Sequence, residues 1–428
     1  MKVYFDTVGC RLNQAEIEYL ARQFSAAGHQ IVEKASLADL VVVNTCAVTT
    51  EAASDSRGKV RAAAQQGAAR IIVTGCWATL DPESAAALPG VRRVVPNQSK
   101  DLLAEQELNI PLDELLAADL LREPLPGSHH RTRAFIKVQD GCNNHCTYCI
   151  TRIARGESRS LQVNEILHTV QQALDSGVQE IVLTAVHLGA WGRDLLPSLS
   201  LRDLLSSLLT ETSAKRIRLS SLEPWDLDQH FFDLWQDNRL MPHFHLPLQS
   251  GSAGVLKRMA RNTTPEAYTE LVARIRGAIP DAAISTDIIV GFPGETDEEF
   301  EESVRFVEKM HFSGGHIFRY SPRPGTAAAN LPNPVSSKEK KHRAQVMRQL
   351  IAASQVEYET KWLGKTVDVL WESARPRENG SWMMSGLAGN YLRVQAITLT
   401  ACQNQIATVL LETVTSRGLF GRVISSVG

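Results

Sequence analysis

The 428-residue sequence has no apolar run long enough to cross a membrane as a helix. No internal repeat or low-complexity tract is present, and residues 1–4 lead directly into a predicted strand, which predicts no signal peptide. The formal net charge is only −2, so any surface that binds nucleic acid has to be local. These absences favour a cytoplasmic globular protein, and the length predicts two or three domains.

Cysteine is also scarce, yet six of the seven cysteines fall into two groups of three. The first group, called the loop triad here, is Cys142, Cys146 and Cys149, which follow a β-rich run at 135–138. Three thiolates on one short loop can bind three irons of a cubane iron–sulfur cluster and leave the fourth iron open for a substrate. Two alternatives stay open: a zinc site, which usually needs a fourth ligand, and three buried thiols.

The second group, called the strand triad, is Cys10, Cys46 and Cys76, each of which ends a hydrophobic run. Short β-branched runs separated by helical stretches are typical of parallel strands in an α/β sheet. Ligand sites in such sheets form beyond the carboxyl ends of the strands, so we expect these distant cysteines to converge. Buried thiols are the alternative, whereas a disulfide is less favoured in the cytosol.

The chain is predicted to be an α/β protein of three domains. A parallel-sheet α/β domain covers 1–127 and ends in the Pro- and Gly-containing segment 124–128. The domain at 128–360 alternates strands and helices, which predicts a partial (β/α)6 barrel with its site at the carboxyl ends of the strands. Its six predicted strands are 134–138, 180–184, 216–220, 244–246, 284–289 and 315–318. Residues 361–428 alternate as about five short strands with an excess of Lys and Arg, which predicts a small OB-like β-barrel that can bind RNA.

Polar and glycine-containing segments follow four of the predicted barrel strands. They are 185–189, 221–224, 247–251 and 290–296. Each segment alone could be a plain turn, but four at the same end of a barrel favour a ligand site, because glycine lets the backbone approach a ligand closely. A basic helix predicted at 336–350 has two interpretations, a solvated helix face or a face toward RNA.

The loop triad resembles the cluster-binding loop of the radical S-adenosylmethionine (SAM) superfamily. The ligand spacing, the aromatic Tyr148 directly before Cys149 and the strand that precedes the loop all agree. The resemblance implies that the open iron of a [4Fe–4S] cluster chelates the amino and carboxylate groups of SAM, and that reductive cleavage gives a 5′-deoxyadenosyl radical. It also implies that Tyr148 leans toward the adenine of SAM.

Over its whole length the sequence resembles the methylthiotransferase family. Residues 7–14 are similar to the opening T-L-G-C-K/R-x-N motif, with Val8 in place of Leu, and 43–46 and 73–76 match the next two cysteine motifs. The last domain is similar to the TRAM module of that family. One departure is the segment 150–153, where the family usually has a proline after the last cysteine.

Two further segments resemble one branch of the family, which acts on N6-threonylcarbamoyladenosine beside the anticodon of tRNA. They are 139–144 and 186–192, the latter with Ala185 before it in place of a common glycine. The resemblance implies that a methylthio group is inserted at C2 of the modified adenine. The loop triad would hold the cluster that cleaves SAM, and the strand triad would hold a second [4Fe–4S] cluster that carries the sulfur. A second SAM would supply the methyl group.

The resemblance also implies a SAM pocket and partners. The candidate pocket residues are Tyr148, Ser221, Glu223, Gln249, Gly291 and Phe292. The expected partners are the anticodon stem-loop of tRNA and an electron donor such as flavodoxin or ferredoxin, with no membrane involved.

Several alternatives to this function stay open. The first is a methylthiotransferase that acts on another tRNA adenosine or on an aspartate of a ribosomal protein. The segment 186–189 and the basic terminal barrel argue against the aspartate. Another is a radical SAM enzyme whose second cluster only relays electrons, although a relay does not need an open iron. The last is a non-catalytic iron–sulfur protein that binds RNA, which the motifs at the barrel end disfavour.

Overall fold

The computed structural model describes residues 1–68, 70–117, 132–228 and 230–427. It confirms the predicted fold class: a parallel α/β sheet domain, a partial barrel of parallel strands and a small closed β-barrel follow one another along the chain. The predicted boundary segment 124–128 lies outside the described residues. None of the helices in the described ranges has both the length and the apolarity that a membrane span needs.

The described part of the first domain is a five-stranded parallel sheet flanked by helices. The elements are β1 Lys2–Thr7, α1 Arg11–Ala26, β2 Gln30–Ile31, β3 Leu40–Thr45, α2 Thr50–Gln65, β4 Ile71–Gly75, α3 Cys76–Leu80, α4 Pro82–Ala86, β5 Val91–Val95, α5 Leu103–Leu108 and α6 Leu112–Ala117. In the strand order β2-β1-β3-β4-β5, β2 lies on one side of β1, and β3 to β5 follow on its other side, so the topological switch point lies between β1 and β3. Open α/β sheets form their ligand crevices at such a switch point.

The central domain contains six parallel strands in sequence order, as predicted. The elements are β6 Arg133–Lys137, β7 Gln139–Asp140, α7 Thr151–Arg155, β8 Arg159–Ser160, α8 Val163–Asp175, β9 Glu180–Thr184, α9 Leu201–Glu211, β10 Ile217–Leu219, β11 His243–His245, α10 Ala253–Arg258, α11 Pro265–Ala278, β12 Ala283–Val290, α12 Asp297–Met310, β13 Gly314–Arg319 and α13 Ser337–Thr360. A parallel bridge between Ser221 and His245 joins the sheet β6-β9-β10 to the sheet β11-β12-β13. Within the described residues β13 does not pair with β6, so the barrel is open there.

The main hydrophobic core lies between these parallel strands and the helices around them. The strand β9 is buried along its whole length, which is typical of a parallel strand covered on both faces. Trp191, Phe244 and Tyr268 are among the largest fully buried side chains of this core. The core thereby fixes the outer side of the barrel, while the inner side of the strands is left for polar residues.

The terminal domain is a closed five-stranded barrel, which confirms the predicted small β-barrel. Its strands are β14 Thr366–Pro376, β15 Trp382–Ala388, β16 Arg393–Thr398, β17 Ile406–Thr415 and β18 Gly418–Val427. It packs against the amino ends of the central strands through Tyr391, whose ring stacks on His243 with centroids 4.3 Å apart. Arg11, the residue after Cys10, donates a hydrogen bond to the Tyr391 hydroxyl, so all three domains meet at this tyrosine.

A buried ion network supports the same junction. The carboxylate of Glu180 on β9 accepts from Arg216 and Arg218, each at 2.8 Å. Arg218 also donates to the carbonyl of Gly389 in the terminal barrel at 2.9 Å. Burial raises the pKa of Glu180, but the two guanidinium groups outweigh burial and bring the pKa down to about 2. The carboxylate is therefore ionised and holds two cations that reach the next domain.

Local interactions set the bounds of two helices. The helix α2 begins at Thr50, because the Thr49 hydroxyl accepts from the backbone N–H of Ala52 and caps it. The basic helix predicted at 336–350 continues as α13 to Thr360. Within it Arg343 is buried and paired with Glu295 and Asp297, so this cation stabilises the fold and does not face RNA.

Candidate active site

The strand triad is assembled at the carboxyl ends of β1, β3 and β4, which are neighbours in the sheet. Cys46 and Cys76 are buried and Cys10 is exposed. Gly9 has a φ of +111°, and a Cβ at this position would lie 2.8 Å from the sulfur of Cys46. Only glycine lets the loop that carries Cys10 approach Cys46 so closely. The sequence prediction that these three cysteines converge is thus supported by the sheet order.

The thiols of the strand triad influence one another. Burial raises the pKa of Cys46 to about 11, and the negative charges of Cys10 and Cys76 act in the same direction. The surrounding protein atoms desolvate the Cys10 sulfur and likewise raise the pKa of Cys10, although part of the residue is exposed, while the nearby Arg155 guanidinium lowers this pKa. Thiols in such surroundings need positive charge beside them to become thiolates.

A buried ion network supplies that charge. Glu16 and Arg155 are each 2% exposed, and Arg155 Nη1 donates to Glu16 Oε1 at 2.7 Å. Lys100 Nζ donates to the other carboxylate oxygen of Glu16 at 2.7 Å. Burial raises the pKa of Glu16, but Arg155 and Lys100 outweigh burial, so this pKa lies well below its usual value. The carboxylate is ionised and holds both cations in place.

The same network extends to the loop that carries the loop triad. Arg155 Nη1 also donates to Asp140 Oδ1 at 2.9 Å, and Lys137 Nζ lies 3.2 Å from Asp140 Oδ2. Three cations, namely Lys100, Lys137 and Arg155, are thus joined to the buried carboxylates of Glu16 and Asp140, and Lys137 also pairs with the more exposed Asp101. Of these cations, Arg155 and Lys100 act on the thiols of the strand triad, which suits an anionic metal–sulfur group there.

Asn97 adds a hydrogen bond to the strand triad. Its Nδ2 donates to Cys76 Sγ at 3.6 Å and to the carbonyl of Ala154 at 2.8 Å. The Oδ1 of this buried amide has no hydrogen-bond partner.

Within the described residues, no three His, Cys, Asp or Glu side chains are placed to share a single metal ion. A cubane cluster makes no such demand, since each thiolate binds a different iron.

The loop triad follows β6 at the carboxyl end of the barrel. Each of its three sulfurs accepts an N–H hydrogen bond. The donors are the backbone N–H of Asn144 to Cys142 at 3.4 Å, Arg261 Nη1 to Cys146 at 3.9 Å and the backbone N–H of Thr151 to Cys149 at 3.4 Å. N–H donors stabilise thiolates, so this loop is prepared to hold metal-bound sulfur.

His187 also belongs to this site. Its segment, 185–189, was predicted to lie at a ligand site, but no contact between His187 and a cysteine was predicted. Its Nδ1 lies 3.8 Å from Cys142 Sγ, and its Nε2 lies 2.5 Å from Asp226 Oδ2. Burial lowers the pKa of His187, but the hydrogen bonds with Asp226 and Cys142 outweigh burial and raise the pKa to about 9. A buried, oriented imidazole thus lies against one sulfur of the loop triad. The sequence signals for His187 are its place in the segments 185–189 and 186–192, which follow β9.

The six candidate SAM-pocket residues form two groups in the structure. The first group lies around the loop triad and consists of Tyr148, Phe292 and Glu223, and the second lies at strand ends and consists of Ser221, Gln249 and Gly291. Tyr148 packs against an apolar cluster that contains Phe292, which is fully buried. Glu223 pairs with Arg261 at 2.6 Å, and Arg261 in turn reaches the sulfur of Cys146. An apolar wall and an ion pair therefore lie on either side of the loop triad.

The remaining three candidates lie at the ends of β10, β11 and β12. Ser221 Oγ is 2.6 Å from His245 Nδ1, and His245 Nε2 is 3.1 Å from Asp287 Oδ1. Gln249 has a φ of +73°, and its backbone N–H donates to the carbonyl of Asp287. The backbone N–H of Gly291 donates to Glu295 Oε2 at 2.6 Å. His245 and Asp287 were not predicted as site residues, because the sequence marks them only by their positions on barrel strands.

The first domain closes over the same end of the barrel. Thr50 Oγ1 lies 3.1 Å from Ser321 Oγ, just beyond the end of β13. Arg323 Nη2 donates to the carbonyl of Val48 at 3.1 Å, in the loop after Cys46. On the other side, Arg155 bonds to Glu16 of α1. Both triads therefore lie at the carboxyl end of the barrel, which we call the mouth.

Comparisons with known proteins place the two domains in families. Residues 136–307 match the Radical SAM superfamily, and residues 2–95 match the Uncharacterized protein family UPF0004. The chain is 36% identical to the threonylcarbamoyladenosine tRNA methylthiotransferase MtaB of Bacillus subtilis, over 92% of this chain and 89% of that protein. It is 33% identical to the tRNA-2-methylthio-N(6)-dimethylallyladenosine synthase of Ehrlichia canis, over 87% of this chain and 88% of that protein.

A solved structure shows the same fold at low sequence identity. The radical SAM methyltransferase TsrM of Kitasatospora setae, which has cobalamin and a [4Fe–4S] cluster bound, superposes with a TM-score of 0.56. The superposition covers 77% of each chain at 13% identity. This likeness concerns the fold alone.

Proposed function

We propose that this chain, which belongs to the methylthiotransferase family of radical SAM enzymes, inserts a methylthio group at C2 of N6-threonylcarbamoyladenosine beside the anticodon of tRNA. The observation that carries the proposal is the pair of cysteine triads at one mouth. One triad lies in a radical SAM loop, and the other lies at the switch point of a sheet. The aromatic C–H at C2 offers no easy polar route, which is why a radical is needed.

The loop triad holds the [4Fe–4S] cluster that the family implies. When bound with SAM, such a cluster supplies the electron that splits SAM into methionine and a 5′-deoxyadenosyl radical. The residues of the chain would hold this cluster and orient its three sulfur ligands. Asn144, Arg261 and Thr151 donate to the three sulfurs, and the buried His187 supports Cys142.

The strand triad would hold a second [4Fe–4S] cluster, and this site would carry the sulfur to be transferred. Three cysteine ligands, with no fourth cysteine beside them among the described residues, support this role, because a three-liganded cluster would leave an iron free for an exogenous sulfur. The cations Arg155 and Lys100 would offset part of the negative charge of three thiolates. Its position at the same mouth lets one bound nucleoside meet both sites.

The SAM pocket is formed by the two groups of residues around the loop triad. Tyr148 and Phe292 shape an apolar wall for the adenine, and Glu223 holds Arg261 against Cys146. Ser221, Gln249 and Gly291 line the strand ends, where hydroxyl, amide and backbone groups can bond to the ribose and amino acid parts of SAM.

The partner is the anticodon stem-loop of tRNA, and an electron donor such as flavodoxin or ferredoxin supplies the reducing equivalent in the cytoplasm. Support for RNA comes from the terminal barrel, where Arg393 and Arg417 line a cleft of about 290 Å³. Arg133 of the central domain also lines this cleft, but it pairs with Glu372 at 2.6 Å. Phosphate contacts of such cations make affinity fall steeply with salt.

A second candidate substrate is another N6-modified adenosine of tRNA. The observation that favours it is the Ehrlichia relative, whose name specifies dimethylallyladenosine and which matches this chain over a similar length. The segment 186–192 favours threonylcarbamoyladenosine, since it resembles that branch.

The deciding experiment is mass spectrometry of tRNA nucleosides from a strain that lacks the gene, complemented with wild type or with Cys142→Ala. We expect 2-methylthio-N6-threonylcarbamoyladenosine to disappear in the deletion strain, while its unthiolated precursor accumulates. Wild type restores the product and the variant does not. Loss of the methylthio form of dimethylallyladenosine instead would identify the second candidate and contradict the first.

A further inference from the structure

Three cations gather at the mouth on the side of β13. Arg319 ends β13, Arg323 follows four residues later, and Lys340 lies in the first turn of α13. We call Arg319, Arg323 and Lys340 the mouth cations. None of them belongs to the Glu16–Arg155 network, and the family resemblance gave no role to any of them.

These cations have little negative charge around them. Among the described residues, the carboxylate that pairs with them is Glu51, 3.9 Å from Arg319 and 74% exposed. Glu51 and the thiol of Cys46 also act on Arg323, whose pKa is lowered by its partial burial. Burial and the charge of Arg319 lower the pKa of Lys340. Arg319 therefore acts on Lys340 and shares Glu51 with Arg323, and cations grouped around one solvated carboxylate favour binding of an anion.

Two of the mouth cations contact the proposed sites: Arg323 the segment after Cys46, and Lys340 the predicted SAM pocket. Arg323 Nη2 bonds to the carbonyl of Val48, two residues after Cys46. The stem of Lys340 crosses Gly291, which has a φ of +72° and where a Cβ would overlap the lysine side chain. Lys340 Nζ also bonds to the carbonyl of Tyr320 at 3.2 Å, and the Tyr320 ring packs on Phe292. The group thus reaches from the strand triad to the predicted SAM pocket.

The chemistry of the proposed substrate matches this position. In adenine, C2 and C6 flank N1, so the group on N6 projects from the same edge as the carbon that reacts. A threonylcarbamoyl group ends in a carboxylate, whereas a dimethylallyl group has no charge. With C2 at the mouth, the carboxylate at the end of the N6 group lies at the mouth as well.

We propose that the mouth cations bind the carboxylate of the threonylcarbamoyl group and so select this nucleoside over uncharged N6 substituents. The inference rests on the proposed function and adds to it the residues that set specificity. Arg319 and Arg323 are suited to bidentate bonds with a carboxylate, and Lys340 adds a point charge. A hydrogen bond between ionised partners contributes about 1.5–3 kcal/mol, which corresponds to roughly tenfold or more in affinity.

The test compares two anticodon stem-loop RNAs that differ only in this modification, one with N6-threonylcarbamoyladenosine and one with adenosine. Reconstituted protein is titrated anaerobically without reductant, and the dissociation constant is read by fluorescence anisotropy. We expect wild type to bind the modified RNA about tenfold more tightly. Arg319→Gln and Arg323→Gln should remove most of this preference and leave the affinity for unmodified RNA within about twofold. The matched control is Arg305→Gln on the outer helix α12, where Arg305 pairs with Glu301, and it should keep the full preference.

Two outcomes would overturn the inference. If the variants lose affinity equally for both RNAs, the cations contact phosphates of the RNA backbone. If the variants keep the full preference, the carboxylate is bound elsewhere. A complementary test leaves the protein unchanged: RNA whose threonyl carboxylate is methyl-esterified should bind to wild type like unmodified RNA, and undiminished affinity would contradict the proposal even where a variant is unstable.

The experiment also separates this inference from the proposed function. Addition of SAM and reductant to the wild-type complex tests whether the modified RNA becomes methylthiolated. No product would count against the proposed function. Product formed by wild type, together with unchanged preference in the variants, would count against the mouth cations alone.

Discussion

The two cysteine triads reach the same mouth by different routes. The loop triad lies within a single segment, and backbone N–H groups of that segment donate to two of its sulfurs. The strand triad collects residues from three strands, and its neighbours Asn97, Lys100 and Arg155 are distant in sequence. A local loop can keep its geometry when the rest of the fold changes, whereas the strand triad depends on the whole sheet and on the domain interface.

Their charge surroundings are alike in one respect. Beside the loop triad, His187 and Arg193 share the carboxylate of Asp226, and Arg261 pairs with Glu223. Beside the strand triad, Lys100 and Arg155 share the carboxylate of Glu16. Cations therefore lie beside both triads, which suits an anionic metal–sulfur group at each of them.

The largest expected effect separates radical generation at the loop triad from sulfur transfer at the strand triad. Replacement of Cys10, Cys46 and Cys76 by Ala should abolish the methylthio product completely, because the site that carries sulfur is lost. The variant should still form 5′-deoxyadenosine when SAM and reductant are supplied, since the loop triad is untouched. Product is measured by nucleoside mass spectrometry, and 5′-deoxyadenosine by chromatography. Residual methylthio product would show that the strand triad is dispensable.

The next effect tests how far the strand triad depends on the buried network. Arg155→Leu removes the guanidinium that bonds to Glu16 and Asp140 and leaves Lys137 as the cation between them, so the free energy of unfolding should fall by about 3–5 kcal/mol. Arg152→Leu, on the same helix, is the control, and its half-buried Arg152 bonds to His145, so a change under about 1 kcal/mol is expected. Urea unfolding of the metal-free protein gives both values. Equal losses in the two variants would contradict the special role of Arg155.

A second buried network, at the opposite end of the barrel, has no cysteines and serves as a comparison. The pKa of Glu180 is lowered from 4.5 to about 2, so the stability that this carboxylate contributes is present above the unfolded pKa and is lost as the pH falls toward 2. The shift corresponds to about 3 kcal/mol, of which about 2 kcal/mol is lost by pH 3. Unfolding free energies at pH 6 and pH 3 should therefore differ less in Glu180→Gln than in wild type. Iron content at pH 7 should not change in this variant, and an equal pH dependence in both proteins would refute the assignment.

The smallest expected effect concerns one hydrogen bond to the strand triad. Asn97→Leu removes the N–H donor to Cys76, which should lower the reduction potential of the proposed second cluster by on the order of a few tens of millivolts. The reduction potential of the proposed cluster at the loop triad should stay the same. Gln98→Leu, at the exposed neighbouring residue, is the control. Redox titration followed by electron paramagnetic resonance resolves the two sites, and a shift at the loop triad would argue against the separation.

Much of this architecture could be predicted because its signals are local. The strand β9 has the predicted bounds, since a continuous apolar run in a buried parallel strand is a strong pattern. The spacing of Cys142, Cys146 and Cys149 marks one loop. The strand triad could be predicted because each cysteine follows a strand, and a shared sheet edge brings such positions together.

The supporting residues could not be predicted, because no pattern links residues so far apart. Arg155 bonds to Glu16 across 139 positions of the chain. His187 finds Asp226 at the end of another barrel strand, and Tyr391 contacts His243 only because the terminal barrel docks there. Charge alone misled at Arg343, which counted toward a basic helix face but is buried in ion pairs.

The most direct test of two distinct cluster sites is an iron count made in parallel with SAM cleavage. Wild type reconstituted without oxygen should bind about eight irons per chain, from two four-iron clusters. The variant with Cys142, Cys146 and Cys149 replaced by Ala should bind about four and form no 5′-deoxyadenosine. Wild type with only about four irons, or a variant that still cleaves SAM, would contradict the account.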